Sequence, residues 1–153
     1  MGDQDGATGG PYAGARADAV PPTQRLQAEL ERTVDRLRTL GLARLEASFD
    51  PEPTRAAAAR ALAQHLADLA AGLEGGPRRE LPVLATAACG DQLAVCGHDL
   101  LAAYAGRSGQ GTTGPEAGGD GSGHQALPAP SESTDAARIQ GAADLLLDLR
   151  RRL

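Results

Sequence analysis

The residues most capable of chemistry lie in one short stretch, CGDQLAVCGHDLLAAYA, at positions 89–105. It holds both cysteines of the chain, Cys89 and Cys96, together with His98. Thiolate and imidazole groups are zinc ligands, and a cysteine beside a histidine can act as an activated nucleophile. Two carboxylates, Asp91 and Asp99, lie in the same stretch. Whether these groups form a site depends on whether they can meet.

A helix would carry the thiols and the histidine to opposite faces. With Leu93 placed at 0°, Cys89 and Cys96 lie within about 60° of it, whereas His98 points to the far side. The two cysteines are two turns apart, about 10 Å along the axis, which is too far for one zinc ion or a disulfide. We therefore expect free thiols packed as small apolar residues, without a metal or a cofactor.

A histidine on another predicted helix leaves a second possibility open. His65 lies beside an apolar stripe that contains Leu62 and Leu66, and it could approach the thiols inside a bundle. The alternative function is thus a small-molecule or metal binder, conceivably a thiol enzyme, with a core cavity near Cys89, Cys96 and His65.

The far side of the third predicted helix is polar. It forms a candidate partner-facing patch made of Asp91, Gln92, Val95, His98 and Asp99. Asp91 and His98 are two turns apart and are not expected to touch. A solvated surface is the simplest interpretation of this patch, and a surface that contacts a partner is the more specific one.

Two glycines, Gly90 and Gly97, share the apolar face with the cysteines. Glycine costs about 1 kcal/mol relative to alanine inside a helix, so close packing is a physical reason for its presence. We expect these glycines to face the alanine-rich helix that precedes them.

The spacing of apolar residues predicts four amphipathic helices. They are expected over residues 23 to 40 or 48, 51–74, 86–105 and 134–153. Thr23 is suited to cap the first helix, and Asp50 followed by Pro51 to start the second. Pro82 predicts an extended connector at residues 78–84, because it disfavours helical geometry before it.

Two segments contain few apolar side chains and are expected to be disordered, residues 1–22 and 106–133. The second is rich in Gly, Ser and Pro and would tether the last helix flexibly. These elements predict an all-α fold, an antiparallel helical bundle of about four helices. The last helix could complete its own bundle or that of a second copy.

Charge and composition exclude several classes of function. The net charge is −5, all 15 basic residues are arginine, and aromatic residues make up 2% of the chain. Nucleic acid is therefore not an expected partner, because phosphate neutralisation and base stacking both lack the required residues. A secretory signal and a long apolar run are also missing, so we expect a cytoplasmic protein without membrane contact.

The run GDQLAVCGHDLLAAYA resembles a segment of small uncharacterised actinobacterial proteins, and ARALAQHLADLAAGLEG is similar to theirs. The resemblance implies no activity. Motifs for phosphate binding, serine hydrolysis and zinc proteolysis are absent from the sequence.

The sequence therefore favours a protein that is not an enzyme and that acts by packing helices with itself or with a protein partner. No small-molecule ligand is identified. Besides the cavity alternative, the Ser and Thr residues of 108–134 leave open a role in regulation through the predicted disordered segments.

Overall fold

A computed structural model describes residues 20–109 and 131–153, with side chains from residue 133 in the second range. The helices are α1 (Pro22–Thr39), α2 (Leu42–Leu45), α3 (Arg55–Glu74), α4 (Cys89–Gly109) and α5 (Ser131–Arg152). A 3₁₀ turn, Thr86–Ala88, precedes α4. The predicted all-α bundle of four long helices is confirmed. Disorder was expected at residues 1–22 and 106–133, and its ends were wrong: α4 continues to Gly109, where Arg107 is held by the Leu73 carbonyl and by Asp135, and α5 begins at Ser131. The remainder of that prediction, residues 1–19 and 110–130, lies outside the described residues.

Two predicted helix starts were wrong. Thr23 lies inside α1, whose first residue is Pro22 and which has no side-chain cap. The second long helix, α3, starts at Arg55 and not at residue 51, and its cap is Thr54, whose hydroxyl accepts the Ala57 N–H at 3.1 Å. The reason is Pro53, which disfavours helical geometry at the preceding residue, Glu52.

The predicted end of α3 is confirmed, and it depends on a glycine. Gly75 has a φ of 71°, in the left-handed region that residues with a side chain rarely adopt. Its N–H donates to the carbonyl of Ala71, which satisfies one of the last carbonyls of the helix.

The four long helices form a closed arrangement in which α1 and α3 occupy opposite corners. Helix α1 packs on α4 and α5, and α3 packs on the same two helices. The neighbours α3 and α4 run parallel, as the contacts at their two ends show. Arg60 near the start of α3 lies close to Cys89 at the start of α4, and Leu73 near the end of α3 accepts a hydrogen bond at 3.0 Å from Arg107 near the end of α4.

Helices α1 and α5 both run in the direction opposite to α3 and α4. Gly90 near the start of α4 lies against Leu37 near the end of α1, and Asp135 near the start of α5 pairs with Arg107 near the end of α4. The expected antiparallel arrangement therefore holds for α1 with α4 and for α3 with α5, whereas the neighbours α3 and α4, and α1 and α5, are parallel.

Parallel neighbours need a connection that returns along the bundle, and residues 75–85 supply it as an extended segment. Gln64 of α3 holds this segment: its carbonyl oxygen accepts from Leu81 N–H at 2.8 Å, and its amide donates to the Arg79 carbonyl at 2.9 Å. Gln92 of α4 donates to the Pro82 carbonyl at 2.9 Å. Two glutamines thus fix the returning segment against both parallel helices.

Replacing Gln64 with alanine is expected to loosen this segment, because two hydrogen bonds to its backbone are lost at about 1 kcal/mol each. Limited trypsin digestion followed by mass spectrometry should show faster cleavage after Arg78 and Arg79. Gln24→Ala, at an exposed position of α1, is the control and should leave the cleavage rate unchanged. Equal rates in the two variants would contradict the role assigned to Gln64.

The core is built mainly from leucine and alanine, and α5 contributes to it fully. Leu66, Leu93, Leu100 and Leu146 are completely buried. Each such side chain stabilises the fold by about 1.5–3 kcal/mol relative to an exposed one. One end of the core is closed by Phe49, whose ring lies beneath the Arg152 guanidinium at 4.4 Å.

Candidate functional site

The structure does not bring the thiols and the histidines together. Cys89 and Cys96 are buried on the inner side of α4, at 2% and 4% exposure. His65 is exposed on α3, and His98 is exposed on α4. In the described parts of the chain, no group of three or more histidine, cysteine or acidic side chains is placed to hold a metal ion.

Burial raises the pKa of both thiols, and this desolvation outweighs the Arg60 charge that favours the Cys89 thiolate. The thiolate is the reactive form, so both cysteines are held in the unreactive one. This protonation matches a packing role for both side chains.

Native protein is therefore expected to react with a thiol reagent at pH 7.5 at least about tenfold more slowly than urea-unfolded protein. The raised pKa values also make the free energy of unfolding depend on pH. The contribution of the two neutral, buried thiols is fully present below the ordinary thiol pKa near 9 and is lost as pH rises through the raised values. The absorbance change of a chromogenic thiol reagent measures the reaction rate, and urea titrations between pH 7 and 10 measure the pH dependence of stability. Equal reaction rates in native and unfolded protein would contradict these expectations.

The glycines of α4 face α1, and the expectation that they face the alanine-rich helix was wrong. A Cβ built on Gly90 would lie 3.4 Å from the Leu37 Cβ. A Cβ on Gly97 would lie 3.0 Å from the Leu30 Cγ and closer still to both Leu30 methyl groups. The missing side chains let two leucines of α1 pack against the backbone of α4.

Gln92 does not belong to the exposed patch. It is 7% exposed, and its amide holds Pro82 of the returning segment, so it faces α3 and not a partner. The amide oxygen of Gln92 is buried without a hydrogen-bond partner among the described residues. The physical reason is its helical angle, which lies about 40° from that of buried Cys96.

The other four residues of the patch are exposed on the outer face of α4: Asp91, Val95, His98 and Asp99. Val95 is 61% exposed, unusually high for a branched apolar side chain on a helix of this bundle. Arg38 of α1 donates to the Asp91 carboxylate at 2.6 and 2.9 Å. We call these four residues, with Ala102, the outer face of α4.

An open groove lies on each side of the outer face. The groove against α1 has a volume of about 270 Å³ and a charged rim, and the two apolar side chains beneath it, Leu30 and Val34, are only 1% and 4% exposed. Its lining residues are Leu30, Glu31, Val34, Asp35, Arg38, Ala94 and His98. The groove against α3 has a volume of about 450 Å³ and is floored by alanines, with Asp99 and Ala102 along its α4 side.

Sequence reasoning missed a set of buried polar groups that join α5 to the rest of the bundle. Glu29 of α1 accepts from Arg32 at 2.8 Å and from Arg150 of α5 at 3.1 Å. The fully buried Thr33 hydroxyl lies 3.2 Å from the Leu146 carbonyl. Asp135 of α5, 5% exposed, pairs with Arg107 of α4 at 2.8 Å. These contacts fix the register of α5.

Comparison of the chain with protein-family models, with curated proteins and with solved structures gives no match. Among the helices in the described ranges, none combines the length and the apolarity needed to cross a membrane.

Proposed function

We propose that this protein is a helical interaction module that binds a protein partner through the outer face of α4. It has no catalytic role in this proposal, and it acts in the cytoplasm. Val95 is the observation that supports it most directly, because this apolar side chain is 61% exposed between two open grooves. Val95 shares this face with exposed Ala102, and apolar patches rimmed by polar residues are typical of contact surfaces.

The rigidity of the surroundings also supports this proposal. The inner side of α4 is fixed by buried Leu93 and Leu100, and its glycines hold α1 close. A surface presented on rigid elements loses little conformational freedom when it binds. The outer face of α4 is thus organised before a partner arrives.

The absence of lysine from the chain allows a site-selective crosslinking test. Ala102→Lys places the only side-chain amine on the outer face, where a reagent with one amine-reactive and one photoreactive end can be attached. After illumination in native lysate, we expect a defined partner to be joined to the introduced amine. Adding Val95→Gln should lower its yield at least about fivefold, the loss of roughly 1 kcal/mol of contact energy.

A matched control is available on α5, where Leu145 is 45% exposed. Leu145→Gln, added to the Ala102→Lys chain, should leave the yield unchanged, and wild-type chain reports labelling at the terminal amine alone. Equal yields with Val95→Gln and Leu145→Gln would contradict the assignment of the surface.

The cavity alternative has less support. Both thiols are buried with raised pKa values, and His65 points outward from α3. The grooves on either side of the outer face are lined by other residues. A bundle that binds a ligand through Cys89, Cys96 and His65 would need these side chains to converge.

A further inference from the structure

The returning segment between α3 and α4 carries a pair of arginines that differ from the others in the fold. Among the arginines of residues 20–109 and 131–153, Arg78 and Arg79 are the only two that lie outside a helix. Residues 76–80 are all exposed and have no regular secondary structure. A protease that requires arginine therefore meets two accessible arginines at one place in the bundle.

The two peptide bonds that follow these arginines are not equally free. Proteolysis needs a segment that is open in the native state or opens locally, which helical arginines are not. The Arg79 carbonyl accepts a hydrogen bond from the Gln64 amide at 2.9 Å. Within the described parts of the chain, no hydrogen bond holds the Arg78 carbonyl. The bond between Arg78 and Arg79 is thus the more accessible one, because its carbonyl can turn toward a protease without losing a partner.

A cut at this bond divides the fold into two halves, one with α1, α2 and α3 and the other with α4 and α5. The large interfaces of the long helices all join one half to the other, because α1 and α3 each pack on α4 and α5. The ion pair of Arg107 with Asp135 links α4 to α5, but in the described chain these two helices share no large interface. Each half therefore buries its apolar side chains mainly against the other half and cannot form a core alone.

We propose that the returning segment is a processing site, at which an arginine-specific endopeptidase hydrolyses the Arg78–Arg79 bond and leaves a folded, two-chain bundle. One water adds across the amide as its C–N bond breaks, so that Arg78 gains a carboxylate and Arg79 an ammonium group. Both new charges lie at exposed positions, and the cut buries no charge. Gly76, Pro77 and Arg79 line the groove against α3, so the cut releases one wall of that groove while the helices stay in place. This inference does not depend on the partner proposed for the outer face of α4.

Brief digestion of the native full-length chain with trypsin, followed by mass spectrometry, tests the position of the cut. We expect cleavage between Arg78 and Arg79; a cut after Arg16, outside the described residues, would only shorten the first product to residues 17–78. Arg78→Gln/Arg79→Gln should slow cleavage of the described helical region at least about tenfold. The matched control is Arg36→Gln/Arg151→Gln, at exposed helical positions, which should leave the rate unchanged.

The association of the two products is measured separately. Native mass spectrometry of the digest should show both products together, at the mass of the uncut chain plus one water, and circular dichroism should show unchanged helicity. After separation in urea, each half returned alone to native buffer should be largely unfolded, because its long helices lack the surfaces on which they pack. Mixing the two halves should restore the helicity.

Three results would overturn the inference: a first cut after Arg44 or another helical arginine, halves that separate under native conditions, or a half that folds alone. A further variant shows whether trypsin cuts the folded protein. Gly141→Ala, at an exposed α5 position where an added Cβ would meet no described atom within 4 Å, favours the helix. Its cleavage rate should equal that of wild type. A fall in rate by the same factor as its unfolding equilibrium constant would show that the cut requires the unfolded chain, which would reject the processing site.

Discussion

Gly97→Ala is expected to lower the free energy of unfolding by about 2 kcal/mol, although alanine is the better helix former by about 1 kcal/mol. The added methyl group would overlap the end of the Leu30 side chain, which is 1% exposed and closely packed. Relief requires α1 and α4 to separate or Leu30 to leave its rotamer, and both lose packing. Urea denaturation followed by circular dichroism measures the change.

Two further variants show whether this contact is the cause. Gly141→Ala, at an exposed α5 position where a Cβ meets nothing within 4 Å, should raise stability by about 1 kcal/mol through helix propensity alone. In a Leu30→Ala background, Gly97→Ala should lose most of its effect, giving a coupling energy above about 1 kcal/mol. Additive effects of the two substitutions would contradict the proposed overlap.

Glu29→Gln is expected to destabilise the bundle by about 2 kcal/mol. The Glu29 carboxylate is buried between two arginines from α1 and α5, Arg32 and Arg150. Hydrogen bonds to charged groups are worth roughly 1.5–3 kcal/mol, and the half-buried Arg150 loses the carboxylate that ties α5 to α1. The amide keeps the shape of the carboxylate but brings a donor toward a guanidinium. Chemical denaturation gives the total effect.

The helix that loses stability in the Glu29→Gln variant can also be identified. Amide hydrogen exchange should increase more in α5 than in α3, because Glu29 holds α5 and makes no contact with α3 through an ion pair. Glu31→Gln, on an exposed turn of the same helix, is the control and should change stability by less than about 0.5 kcal/mol. A uniform increase in exchange across all helices would show that α5 is not the element affected.

The long helices could be predicted from the sequence because their apolar residues repeat with the helical period. Gly75 also marked the end of α3 correctly, since its residue type matches a left-handed turn. Periodicity, however, says nothing about which helices become neighbours or which way they run. The segment that connects the parallel helices α3 and α4 is held by Gln64 and Gln92, whose bonds to a distant backbone leave no pattern in the sequence.

The candidate surface was predicted only in part, for a related reason. A helical projection placed Asp91, Val95, His98 and Asp99 outward correctly, but it cannot show that the neighbouring helix adds Glu31 and Asp35 to the same groove. It also placed the boundary residue Gln92 on the wrong side. Angles within one helix fix the direction of a side chain, whereas the partner in that direction is set by the packing of the whole bundle.

The returning segment between α3 and α4 has a consequence for how the chain reaches this fold. A bundle of antiparallel hairpins can begin from two helices joined by a tight turn, whose contacts are only a few residues apart. Here Leu30 meets Gly97, and Thr33 meets Leu146, across 67 and 113 positions. Rates of folding decrease as the sequence separation of native contacts grows. In stopped-flow refolding, this protein should be slow for an all-helical one, and α1 cannot make its contacts with α5 until more than a hundred further residues have been synthesised.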